Sequence, residues 1–227
     1  MISMYKQIYP LPSRLFILLL LVFANLHPSI ANGMATGPLD HLFGSRSVAN
    51  ADLSDLPQWL SALTRHKQED IPERPVLKEW FSLLAGLQGL PRLIQIQRVN
   101  TFINQKPYIM DAVNYGVDDY WAIVKEFITL AGDCEDFSIS KFFSLRLLGF
   151  PPDDLRIVIL QDTNLGIAHA VLAVVHEGKA LILDNQTNEL LPDSRIIHYT
   201  PLYSVNETKW WLHLPLMVQD TTTKNKD

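Results

Sequence analysis

The sequence predicts one α+β domain in which helices come first and an antiparallel sheet follows. Apolar residues recur at helical spacing up to about residue 130, as at Trp59, Leu60 and Leu63 and again at Trp80, Phe81, Leu84 and Leu87. Beyond residue 150 the pattern changes to short β-rich runs. Between them lies a segment, 134–148, that is apolar or small on nearly every side, as expected of a buried helix packed on a sheet.

In chain order, Gly89 and Pro91 punctuate the helical region before a run containing Leu93, Ile94, Ile96, Val99 and Ile103. The central helix starts at Cys134. Asp133 suits its N-cap, and Asp136 stands three residues on, an approximate capping box. Gly149 suits the left-handed position after its last turn, and Pro151-Pro152 forbids continuation. The runs 155–160, 168–175 and 180–184 read as strands, with Glu177-Gly178 as a two-residue turn between the last two. A final strand includes Trp210, Trp211, Leu212 and Leu214.

The termini read differently. Lys6 and Arg14 precede the apolar run 15–23, and Ser29-Ile30-Ala31 places small residues at the −3 and −1 positions of a cut after Ala31, the pattern of an export signal. That run is about half of what spans a bilayer as a stop-transfer helix, and an uncleaved membrane anchor is the alternative reading; once the signal is removed no stable membrane insertion is expected. Residues 32–50 are expected to be a mobile start, 51–217 the folded domain, and the polar segment 218–227 a frayed tail. The formal net charge is −5 and no Lys/Arg-rich run occurs, so nucleic acid is not an expected partner. Hydrophobic residues make up 48%, which argues against a disordered chain.

Cys134 is the single cysteine, so in an exported protein it has no internal disulfide partner. A helix start lowers a thiol pKa, and a neighbouring imidazolium lowers it further. Outside the signal region, the histidines are His41, His66, His169, His176, His198 and His213. The hairpin register selects His169. If His176 pairs with Lys179, Asp184 falls opposite Val171, diagonal to His169 on the same face. Such a carboxylate fixes the imidazole tautomer and leaves the other ring nitrogen for the thiol. The flanking Asp133, Glu135 and Asp136 would raise the thiol pKa by like-charge repulsion unless a cation neutralises them. Hard carboxylate oxygens suit Ca²⁺ rather than Zn²⁺. Asp118, Asp119 and Asn114 could complete a shell. The same acids also read as a cap, a first-turn carboxylate favoured by the helix dipole, and a solvated charge.

Asp119-Tyr120-Trp121, Gly132-Asp133-Cys134-Glu135-Asp136-Phe137-Ser138-Ile139, Leu147-Leu148-Gly149-Phe150-Pro151, His169-Ala170-Val171-Leu172-Ala173-Val174 and Leu183-Asp184-Asn185 together resemble the bacterial transglutaminase-like cysteine proteinases. The resemblance runs from about residue 70 to 215. It implies a papain-like fold of transglutaminase type, with Cys134 as nucleophile, His169 as general base then acid, and Asp184 as its orienter. It also implies Ca²⁺ beside the nucleophile on Asp133 and Glu135, with Asp136 as a further ligand. By analogy with transglutaminases, the Trp121 indole is either an oxyanion donor or a core aromatic. The implied substrate is the N-terminal region of a large surface adhesin, cut in the periplasm near a pair of small residues. The implied partner is a membrane receptor of the LapD type that sequesters the protease in response to cyclic di-GMP and so preserves biofilm attachment. A transglutaminase and an inactive peptide-binding homologue are the alternative readings.

Overall fold

The computed structural model describes residues 37–69 and 75–216; the expected export signal at 1–31 and the expected tail at 218–227 lie outside them. The α+β order holds. Helices α1 (Pro57–Gln68), α2 (Lys78–Leu87), α3 (Arg92–Ile103), α4 (Asp111–Asn114), α5 (Val124–Leu130) and α6 (Cys134–Leu147) precede most of the sheet. The sheet contains β1 (Ser45–Asn50), β2 (Leu155–Asp162), β3 (Ile167–His176), β4 (Lys179–Leu183), β5 (Leu191–Pro192), β6 (Tyr199–Val205) and β7 (Trp210–Pro215) in the order β1-β7-β6-β2-β3-β4-β5. Every neighbouring pair is antiparallel.

Helix α6 is the hub. It packs on β3, β2, α3 and α5. Phe137, Ile139, Phe142, Phe143 and Leu145 all lie in the larger core, with Leu155, Ile157, Leu172 and Val174 of the sheet. Gly149 takes φ 84 after the last turn, and the Phe150 N–H returns to the Leu145 carbonyl at 3.1 Å, closing the helix as the sequence predicts. Lys141 is buried in the same helix without a hydrogen-bond partner, its ammonium 5.9 Å from the Phe137 ring centroid. Burial pushes its pKa down to about 7, and Asp184 opposes the shift. An unsatisfied buried donor costs about 1–3 kcal/mol, so Lys141→Met is expected to leave the thermal midpoint unchanged or raise it. A lower midpoint in calorimetry would show that the ammonium contributes net stability.

The expectation of a mobile start at 32–50 is corrected over residues 37–50. Residues 38–44 form a kinked 3₁₀ segment and 45–50 form β1, which pairs with β7 from Ser45↔Pro215 to Asn50↔Trp210. The physical reason is the second face of the sheet. Val158, Leu160, Val171, Ala173, Ala180 and Ile182 point away from the larger core, and Leu39 and Leu42 cover them. The Arg156 guanidinium adds a 2.6 Å hydrogen bond to the Leu39 carbonyl and a 2.7 Å ion pair to Asp40. The folded domain therefore starts before residue 51.

His213 fastens β7 internally. Ser45 Oγ donates to the Leu42 carbonyl, so it accepts from His213 Nδ1 at 2.8 Å, while Ser204 Oγ lies 2.9 Å from Nε2. Burial, with the Arg156 charge, pushes its pKa from 6.5 down to about 4. The unfolded chain takes up this proton at a higher pH than the folded chain does. Stability is therefore lost as pH falls from 6.5 towards 4, by up to about 1.4 kcal/mol per pH unit. Denaturant titrations across that window are expected to show this slope, and His213→Gln to flatten it.

Candidate active site

Cys134 follows a tightly constrained stretch of chain. Ala131 holds φ 60 and ψ −164, a region that costs a non-glycine residue about 1–3 kcal/mol. Two bonds secure it: its N–H donates to the Phe127 carbonyl at 2.8 Å, and its carbonyl accepts from Asn114 Nδ2 at 3.3 Å. Gly132 follows with no room for a side chain, since a Cβ there would lie 2.0 Å from Asp136 Oδ2. Asp136 is itself buried, its Oδ2 accepting from the Asp133 N–H at 3.3 Å and its Oδ1 from the Ala122 N–H at 2.6 Å. That clamp fixes the first turn of α6 and the half-buried Cys134 with it.

The thiol meets the sheet where β4 stops. Pairing of β3 with β4 ends at Leu172↔Leu183, leaving residues 169–171 without a neighbour on that side. The Ala170 N–H reaches the Cys134 sulfur instead. The turn at Glu177-Gly178 pairs His176 with Lys179, so Asp184 falls beside His169. His169 Nε2 is 3.0 Å from Asp184 Oδ1, which also accepts from the Gln186 N–H at 2.9 Å. Asp184 Oδ2 accepts from the Tyr199 hydroxyl at 2.6 Å. Burial works against ionisation of Asp184, but the His169, Gln186 and Tyr199 bonds hold its pKa below the usual carboxylate value. Nε2 is committed to Asp184, so Nδ1 is the ring nitrogen that Asp184 does not engage.

Around Cys134 is a concentration of acid. Ligand oxygens of Asp111, Asp119 and Glu135 lie within 4.8 Å of one another, as do those of Asp111, Asp133 and Asp136, and the Asp133–Cys134–Glu135 group. Burial raises the pKa of Asp111 to about 7 and of Asp136 to about 9, with the Asp133 charge adding to both. Asp119, Asp133 and Glu135 are raised as well, burial first in each. The Cys134 thiol is pushed well up by burial and then by Glu135 and Asp133, and it donates to Glu135 Oε2 at 3.3 Å. Five carboxyls so placed do not all ionise unaided.

This environment fits a hard cation. Asp111 Oδ1 and Asp133 Oδ1 are buried without any hydrogen-bond partner, and a buried orphan oxygen is costly. The donor set is carboxylate oxygen, which suits Ca²⁺. Asp111, Asp119 and Glu135 form one such group, and Asp133 joins Asp111 in a second and Glu135 in a third. Both Asp136 oxygens already accept backbone N–H groups, so its first task here is to shape the turn. Asp118 is exposed, and Asn114 is engaged by the Leu130 and Ala131 carbonyls. Asp111 had no motif to mark it in the sequence; the chain brings it in by folding the 108–111 segment along Gly132. The Trp121 indole N–H donates to Asp119 Oδ1 at 3.1 Å and its ring packs on Trp59, so this group is a core aromatic that orients Asp119.

Comparison with known proteins places this site in context. A sequence profile described as bacterial transglutaminase-like cysteine proteinase, BTLCP, matches residues 88–216. Solved structures of Legionella pneumophila LapG resemble the chain at 35% sequence identity and a TM-score of 0.56, covering 67% of this chain and 86% of that one. The same protein is known calcium-bound, with the same identity and coverage, and EGTA-treated, with 84% of that chain covered. No curated protein sequence matches.

Proposed function

Because the chain belongs to the bacterial transglutaminase-like cysteine proteinases and has their fold, we propose that it is a Ca²⁺-dependent cysteine endopeptidase. Its substrate is the N-terminal region of a large surface adhesin, and its place of action is the periplasm. A cyclic-di-GMP-responsive inner-membrane receptor of the LapD type holds it until the second messenger falls. Release then frees the adhesin and disperses the biofilm. The observations that carry the chemistry are the His169–Asp184 pair, the Cys134 sulfur at the start of α6 beside the N–H of Ala170, the residue after His169, and the orphan oxygens of Asp111 and Asp133. The calcium-bound and EGTA-treated forms of the similar Legionella protein support the metal. No helix of the described residues is long and apolar enough to cross a membrane.

The residues act in this order. His169 takes the Cys134 proton, and the thiolate attacks the scissile carbonyl carbon, forming the S–C bond and an oxyanion. The Cys134 backbone N–H, one of the unsatisfied donors of a helix start, meets the oxyanion. His169 then gives its proton to the leaving amine as the C–N bond breaks, and a thioester remains. Water, deprotonated by His169, hydrolyses the thioester and restores the thiol. Asp184 holds the imidazole orientation throughout and stabilises the imidazolium. Bound Ca²⁺ supplies positive charge that offsets the carboxylates opposing the thiolate.

The test is product identity. Incubation with an adhesin N-terminal fragment, read by mass spectrometry, is expected to give two products with new termini at one bond. Incorporation of an added amine in place of hydrolysis would reassign the chain to acyl transfer.

A further inference from the structure

We propose that Tyr199 is a positioning residue for the catalytic aspartate, and that the N-terminal segment 38–44 holds it in place through Phe43. The proposal rests on the cysteine-endopeptidase reading.

A register shift puts Tyr199 in position. Strand β6 pairs Tyr203 with Ile159 and Pro201 with Leu160, so Leu202 is an extra residue, a β-bulge. Without it Tyr199, Tyr203 and Val205 would share one face. With it Tyr203 and Val205 pack on the larger core, while Tyr199 joins the smaller core on the other face. There its hydroxyl lies 2.6 Å from Asp184 Oδ2, and its ring centroid is 5.8 Å from that of His169. Asp184 thus has its two oxygens committed to different partners, Oδ1 to His169 and the Gln186 N–H, and Oδ2 to Tyr199. A carboxylate held at both oxygens does not rotate, and the imidazole bonded to it keeps one orientation. Burial first, then the Asp184 charge, keeps the Tyr199 pKa raised, so the hydroxyl remains a donor.

The ring is braced from behind. Phe43 stacks its edge on Tyr199 with ring centroids 5.7 Å apart and planes at 74°. Phe43 stands at φ 52, and its N–H donates to Asp193 Oδ2 at 3.0 Å. The segment that carries it is anchored by buried Leu39 and Leu42 and by Arg156. The N-terminal segment is therefore linked to the catalytic dyad through two rings and one hydroxyl.

The decisive variant is Tyr199→Phe, which keeps the ring and its contact with Phe43. Two readouts are taken: cleavage of an adhesin N-terminal fragment, and alkylation of Cys134 by iodoacetamide, which needs no substrate. A lost hydrogen bond to a charged group implies that kcat falls about tenfold or more, with KM within about twofold of wild type. Alkylation is expected to slow in parallel. In an Asp184→Asn background, Tyr199→Phe is expected to add no further loss. Phe43→Leu is expected to move both readouts in the same direction by a smaller factor, and it decides the matter should Tyr199→Phe not fold. Unchanged kcat and alkylation in Tyr199→Phe, or losses that add fully to those of Asp184→Asn, would overturn the proposal. If wild type is alkylated but cleaves nothing, the endopeptidase reading fails and the alkylation rates still judge Tyr199.

Discussion

Cys134→Ala is expected to reduce cleavage by at least about 10⁴-fold, the scale set by removing a catalytic nucleophile. The loss should fall on kcat. In the proposed mechanism the sulfur forms the covalent bond to substrate, and the sequence holds no other cysteine to replace it. The fold should persist, because the first turn of α6 is held by Asp136 and Gly132 and not by the thiol. Ca²⁺ binding should persist too, since a thiol is a poor ligand for a hard cation beside carboxylates. The variant should therefore retain a Ca²⁺-induced rise in thermal midpoint while cleaving nothing. Loss of both together would mean that the thiol is structural.

Removing Ca²⁺ is the second large effect. With a selective chelator, kcat/KM is expected to drop by at least about 100-fold, because burial and the Glu135 and Asp133 charges then keep the thiol protonated. The metal should also stabilise the fold by about 2.7 kcal/mol at a hundredfold excess over its dissociation constant. Asp111→Asn is expected to weaken binding as much as Asp133→Asn, although only Asp133 lies in the cysteine motif. The pH dependence has a definite sign. Asp111 takes a proton as pH falls through about 7, and Asp136 holds one up to about 9. Metal binding must expel such protons, so affinity should rise with pH and binding should release protons measurable in buffers of different ionisation heat. Affinity independent of pH between 6 and 8 would remove Asp111 from the shell.

Much of this arrangement was legible in the sequence, for physical reasons that can be named. The hairpin register follows from a two-residue turn, so the proximity of His169 and Asp184 could be worked out by pairing outward from Glu177-Gly178. The start of α6 was visible because Asp133 and Asp136 form one arm of a capping box and proline bars its far end. Other elements gave no such signal. Segment 45–50 alternates weakly and is a strand because β7 offers it an edge, and residues 38–44 are ordered by the apolar face they cover. Strand β6 carries Pro201 and a bulge, which break the period that would have revealed it and move Tyr199 to the face where Asp184 lies. Asp111 comes from a stretch of loop, and its carboxylate meets Asp133 only through tertiary packing.

The most direct test of a Ca²⁺-dependent thiol protease is a cleavage assay on an adhesin N-terminal fragment, with wild type and Cys134→Ala each in Ca²⁺ and in a Ca²⁺-selective chelator. Cleavage by wild type in Ca²⁺ alone is the predicted result. Cleavage that survives chelation would reduce Asp111, Asp133 and Glu135 to structural charges, and cleavage by Cys134→Ala would contradict the account at its centre.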